Sequence, residues 1–356
     1  MANERKIELD GLRGYAAIVV VIYHSILGLD GTQLDRILRG AWSNLGPYEA
    51  ATKIFFKVFD GELAVTLFFI LSGAVLFRSL MREDGGLGGI AGKFYVRRFF
   101  RIYPALLACL VVCGLAFAVA GRGVTMQDFV ANALLYDFKI NGATWTINAE
   151  MIAPVFLLLC YAGYRVGKEW GLAIVAFGLM YLLTLPQFDG YLVSFRISWL
   201  GFALGVLIPT RIGEMAASIL PRWSWAAVLI VMIILRWPLR EICIALLVAT
   251  IYYRRADGID TFLSNRISQF LGRISYSFYL FNVLFLELIC DRLRQYPWAV
   301  AHPLETGVCV AVVVTACTIP VAYLSWAYIE MPFNRLGHRL TGRGRVVPAV
   351  PQSVPL

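Results

Sequence analysis

The sequence predicts an all-α, polytopic membrane protein of about ten transmembrane helices. Three observations carry this. Of the 356 residues, 59% are hydrophobic and only 15% are charged, against about a quarter charged in ordinary soluble domains. Apolar runs of membrane-spanning length recur from end to end. The 32 Lys and Arg residues gather mostly between those runs, where cations set topology. The net charge of +9 therefore argues for membrane topology rather than for a nucleic-acid partner.

The first candidate span is 11–29, opened by LDGLRG. Asp10 is read as a structural charge at its mouth. Arg13 and His24 lie eleven residues apart, which is about three helical turns and a rise of roughly 16 Å, so both share one stripe. That puts a cation at one mouth and an imidazole near mid-depth, and an ionisable group inside a span marks a functional site by default. No small-residue cleavage site follows, so the run reads as a retained helix, not a signal peptide. The second span, 62–81, holds FFILSG, whose Ser72-Gly73 pair reads as a small-residue notch for helix packing. GGLGG at 85–89 reads as a flexible hinge. After it, KFYVRRFFRIYP sets Arg98 and Arg101 on one helix face among aromatic residues, and Pro104 marks the start of the third span, 102–121. This segment is either an interfacial anchor or an anion clamp, since guanidinium forks suit phosphate.

The fourth span, 145–165, opens with WTINAE. Trp145 sits at the outer mouth and Glu150 about five residues deep, as a site carboxylate or one half of a structural ion pair. Spans at 170–188 and 195–212 follow. The runs 223–238 and 239–254 are separated only by Trp237-Pro238-Leu239 and read as a tight helical hairpin. Residues 257–271 carry apolar residues at helical spacing and read as an interfacial helix. The ninth span, 271–290, contains RISYSFYLFN with Ser275, Tyr276, Tyr279 and Asn282. The tenth, 306–329, ends in IEMPF, where Glu330 is a structural charge able to pair with a cytoplasmic arginine. Residues 1–340 form the membrane domain, and 341–356 read as a disordered basic tail.

With the N-terminus cytoplasmic, 21 of the 32 cations fall on the cytoplasmic side, which puts both termini there. The seven cysteines form no CxxC pair and read as small core residues. His24, His302 and His338 have no metal-ligand spacing, so no metal is expected.

The ordered series LDGLRG with His24, FFILSG, RRFFRIYP, WTINAE, SYSFYL and IEMPF resembles the acyltransferase-3 family of integral membrane acyltransferases, over about residues 8–336. The resemblance implies an O-acyltransferase of the bacterial inner (plasma) membrane. Such an enzyme moves an acyl group, usually acetyl, from cytoplasmic acyl-CoA to a hydroxyl of an extracytoplasmic or lipid-linked glycan. Acyl-CoA is then a co-substrate, and no cofactor is bound permanently. By the same resemblance His24 is catalytic, Arg13, Arg98 and Arg101 serve the donor, and Glu150 lies in the active site. Many relatives place a histidine where this chain has Asn282, which offers only hydrogen bonds. Many also carry an extracytoplasmic esterase-like domain; with no room for one here, the chain is expected to act alone.

The residues then suggest a mechanism. The nucleotide of CoA rests on Arg98, Arg101 and Arg97, and its arm threads past Arg13. The acceptor enters past Trp145, whose indole stacks on a sugar. His24 acts as general base, and Glu150 orients it as the acid does in a Ser-His-Asp triad. Ser72, Tyr279 and Asn282 stand unranked as oxyanion donors. The competing reading is an exporter with His24 and Glu150 as a proton relay, which predicts inverted repeats.

Overall fold

The computed structural model describes residues 6–183, 185, 192–235 and 238–342. Trp237 and most of the 341–356 tail lie outside these residues. Among the described residues every regular element is helical. Six helical stretches are long and apolar enough to cross a membrane: Ile7–Leu27, Pro47–Leu80, Leu87–Val119, Thr144–Leu183, Arg266–Leu293 and Pro303–Leu340. A seventh arises if Val193–Leu207 and Arg211–Ile219, bent by 84°, count as one. The chain is a multi-pass, all-α membrane protein.

Helix α1 (Ile7–Leu27) is central. It packs against α4 (Gly61–Leu80), α13 (Arg266–Leu293) and α15 (Pro303–Ser325). Glycine makes these approaches close. A Cβ on Gly14 would lie 2.6 Å from the Leu271 side chain, and one on Gly61 would strike the Tyr23 ring. α13 runs parallel to α1, since Gly14 meets Leu271 while Gly28 meets Cys290. α4 runs antiparallel. α8 (Val193–Leu207) lies along α4 through the Ser72-Gly73 notch, where Gly73 faces Gly205. The C-terminal end of α1 is capped by α2 (Gly31–Arg39) and α3 (Pro47–Val58), whose Leu34, Ile37 and Phe56 cluster with Ile26.

Several expected boundaries move. The third helix begins at Leu87, so α5 (Leu87–Val119) carries Arg98 and Arg101 within its N-terminal half and holds Pro104 inside. Three of the five residues of GGLGG are therefore helix, not hinge. Tertiary contact decides this: buried Phe94 and the Gly337 contact with Phe100 hold those turns in place. α6 (Met126–Ala133) follows. In α7 (Thr144–Leu183) the backbone leaves helical geometry at Gly167 and Lys168, and Gly163 and Gly171 come into contact. The expected runs 145–165 and 170–188 are thus two arms of one folded-back helix. α9 (Arg211–Ile219) turns off α8, and α10 (Trp225–Ile234) and α11 (Leu239–Tyr252) pack together. The interfacial helix expected over 257–271 is interrupted. α12 (Ile259–Leu263) stops, and Asn265 caps α13 by accepting the Ser268 N–H at 2.9 Å. An Asn cap outweighs a continuous apolar period because it satisfies a helix-end donor. α14 (Pro297–Ala301) and α16 (Met331–Leu340) complete the chain, with α16 lying on α5.

Candidate active site

Five helices meet around one pocket of about 750 Å³, open solvent at its mouth included. α1 supplies Arg13, α4 Ser72, α5 Arg98 and Arg101, α7 Thr146 and Glu150, and α13 Ser275, Tyr276 and Tyr279. Their spacing on each helix is i, i+3 or i+4, so one stripe of every helix faces the void.

The pocket is cationic. Buried Arg98 is held by Glu150, donating its Nε–H to the Glu150 carbonyl at 2.9 Å and ion-pairing with the carboxylate. Arg13 has Asp10 only at 3.9 Å. Arg101 makes no hydrogen bond or ion pair with any described residue. Three guanidinium groups thus line the pocket with one carboxylate. Hydroxyls lie among them: Thr146 Oγ1 is 3.1 Å from the Tyr279 hydroxyl, and Tyr276 donates to the Ile102 carbonyl at 2.8 Å. Polar groups at this depth, built into facing helices, are costly and so functional by default.

His24 stands elsewhere. It is in the last turn of α1, nearer the helix's C-terminal end than the expected mid-depth, because the helix begins at Ile7 and ends at Leu27. Its Nδ1 is 2.8 Å from the Val20 carbonyl. A carbonyl only accepts, so Nδ1 carries the proton and the Nε2 lone pair is free. His24 shares the Arg13 stripe. Buried Val20 sits one turn from the imidazole toward Arg13 on the same helix, and Val65 lines the pocket wall.

The structure corrects several site expectations. Glu150 does not orient His24, because Arg98 takes its carboxylate. At the His24 end of α1 the parallel helix α13 carries Glu287, three residues before the Cys290 that meets Gly28. It lies on the pocket stripe of α13, eight residues beyond Tyr279, and is held by Arg122 at 3.1 Å. Arg97 points away from the pocket and pairs with Glu83 at 2.8 Å, since consecutive helical residues diverge by about 100°. Asn282 spends its amide on its own helix, donating to the Phe278 and Tyr279 carbonyls at 3.1 and 2.6 Å. Trp145 packs edge-on against Phe69, 6.0 Å between ring centres, outside the pocket. Glu330 accepts from Ser277 at 3.1 Å rather than from a cytoplasmic arginine. Arg13, Arg98, Arg101, Glu150, Ser72 and Tyr279 are brought together as lining residues. Sequence reasoning missed Thr146 and Glu287. The signal for Glu287 was present, as a carboxylate inside the ninth apolar run.

Residues 6–327 match the family described as the acyltransferase domain, acyltransferase-3 type. Among curated proteins, a "Putative O-acetyltransferase" of Staphylococcus aureus is 22% identical over 396 residues, covering 96% of this chain and 59% of the relative. This chain thus spans about three-fifths of the length of that relative. Nodulation protein 10 of Rhizobium leguminosarum bv. viciae is 23% identical over 347 residues, 85% of this chain and 90% of its own length. An O-acetyl transferase of Shigella phage Sf6 is 24% identical over 142 residues, 33% of this chain and 40% of its own. No solved structure gives a significant match. With a polytopic helical fold, a polar pocket at the meeting of its helices and a family match over nearly its whole length, the chain belongs to the acyltransferase-3 family.

Proposed function

We propose that this protein is a membrane O-acyltransferase of the bacterial inner membrane. It moves an acyl group, acetyl first among the candidates, from cytoplasmic acyl-CoA to a hydroxyl of an extracytoplasmic or lipid-linked glycan. The observation that carries this reading is the pair Arg13 and Arg101. Both line a pocket inside a membrane protein, and neither has a carboxylate within hydrogen-bond distance. Guanidinium groups without a hydrogen-bonded carboxylate at that depth suit an anionic ligand, and the phosphates of CoA supply one. The family match and the names of the relatives support the same reaction class.

In this reading the arginines hold the donor's phosphates, and the long pantetheine arm continues outward along the stripe shared by Arg13 and His24. Val20 and Val65 must part to admit it. The free Nε2 of His24 takes the proton of the acceptor hydroxyl as its oxygen attacks the thioester carbon. The C–S bond breaks, and the thiolate of CoA leaves and takes up a proton. Glu287 faces the imidazolium formed in between and stabilises it electrostatically. The Ser72, Thr146 and Tyr279 hydroxyls are donors for the oxyanion. The pairing of Glu150 with Arg98 weighs against the exporter reading, which uses Glu150 with His24 as a relay.

The test is mass spectrometry of surface glycans from cells with and without the gene, paired with release of free CoA from acetyl-CoA by the purified protein. An acetyl increment that disappears with the gene is expected. Unchanged glycans and no CoA release overturn the assignment.

A further inference from the structure

A second pocket lies on the face where α1 begins, away from the arginine pocket. It is lined by Arg211, Glu214, Met215 and Ser218 of α9 and by Tyr253 and Arg255 after α11. Four arginines cluster here, and their partners divide them. Arg222 pairs with Asp257 at 3.3 Å, and Arg254 with Glu8 at 3.1 Å. Arg211 has no hydrogen bond or ion pair with any described residue. Arg255 has only the Ala217 carbonyl at 3.4 Å. The two arginines without a carboxylate are the two that line the pocket, set against the single carboxylate of Glu214.

The helix carrying Arg211 has three faces at about 100° per residue. Gly213 and Ala217 are buried against the protein. Arg211, Glu214 and Ser218 form the polar face at the pocket. Ile212, Met215 and Ile219 are exposed along a stripe between the polar and buried faces. α9 is bent 84° from α8, which runs with the spanning bundle, so α9 lies nearly in the plane of the membrane surface. Trp223, four residues beyond α9, is also exposed. An apolar stripe beside a cationic face on a surface-lying helix fits the boundary between acyl chains and headgroups, and a tryptophan fits the same depth.

We propose that this pocket binds the phosphodiester headgroup of an anionic phospholipid in the leaflet where α1 begins. Arg211 and Arg255 take the phosphate, Ser218 adds a hydroxyl donor, and the Ile212–Ile219 stripe meets the acyl chains. A soluble phosphate would find the same charges but would leave the adjoining apolar stripe unused. The inference is independent of the acyl-transfer reading.

The test is native mass spectrometry of the purified full-length protein in detergent, with added phosphatidylglycerol or phosphatidylcholine. One phosphatidylglycerol should be retained in preference to phosphatidylcholine. The Arg211→Gln/Arg255→Gln variant should lose that retention about tenfold, on the order of one charged hydrogen bond. Arg211→Lys/Arg255→Lys, which keeps the charge, should retain most of it and serves as a control for folding. Equal retention of the two lipids, or unchanged retention in the glutamine variant, overturns the proposal. So does displacement of the lipid by millimolar inorganic phosphate or adenosine 3′,5′-bisphosphate, which would mark a site for soluble phosphates.

Discussion

Single side chains divide the proposed chemistry between two depths. The arginine pocket and His24 share a stripe of α1, yet each has its own carboxylate. Glu150 neutralises a buried arginine, whereas Glu287 serves the imidazole in the proposed mechanism. Their substitutions should therefore fail in different ways. Glu150→Gln leaves the Arg98 guanidinium buried without its counter-charge and should cost about 3 kcal/mol of stability, read as a lowered melting temperature in detergent. Glu287→Gln should leave the melting temperature nearly unchanged. It should lower kcat by about tenfold, the effect of removing one nearby charge from a forming imidazolium, and Glu287→Asp should restore part of it. An unchanged kcat in Glu287→Gln would remove Glu287 from the mechanism. His24→Ala should cut transfer by about 10²-fold or more while the protein stays inserted. Arg101→Ala should raise the donor KM about tenfold, the worth of one charged hydrogen bond, with a smaller change in kcat.

At the scale of elements, close packing by glycine is the recurring device. Gly205 of α8 lies so near α4 that an added Cβ would meet the Ile70 carbonyl at 2.4 Å. Gly205→Val should force these helices apart and cost about 1–3 kcal/mol by overpacking, measured by thermal unfolding in detergent. The glycines of LDGLRG have the same role. A Cβ on Gly11 would lie 2.3 Å from the Leu263 carbonyl, which fixes α1 against the α12–α13 corner and thereby sets where Arg13 points. The fold-back of α7 rests on Lys168 at φ 51°, ψ −133°, a conformation that disfavours any residue with a Cβ. Lys168→Gly should relieve this and raise stability by about 1 kcal/mol. A lower melting temperature in that variant would show that the lysine side chain, which lies 5.5 Å from the Tyr164 ring centre, contributes more than the strain costs.

Across the whole molecule, the donor and acceptor sides of the proposed reaction depend on orientation. Maleimide labelling checks this in a background with the native cysteines replaced. Ser43→Cys, beside the α2–α3 cap, should react with an impermeant reagent in intact cells, and Asn334→Cys in α16 only after permeabilisation. The reverse pattern would invert the assignment of faces. The sequence by itself determined the membrane class, the approximate positions of the apolar segments, Glu150 as a carboxylate inside a span, and Arg13, Arg98 and Arg101 as cations at the mouths of spans. Hydropathy and helical periodicity are local properties, readable within a single turn or span. Which polar groups meet could only be decided by tertiary structure. The pairing of Glu150 with Arg98 joins residues 52 positions apart, and Glu287 comes to the His24 end of α1 only because α1 and α13 run parallel. Neither follows from period or composition. Glycine contacts of 2–3 Å set how the helices register, and that register assigns each buried charge its partner. It gave Glu150 to Arg98 and set Glu287 of another helix at the His24 end of α1.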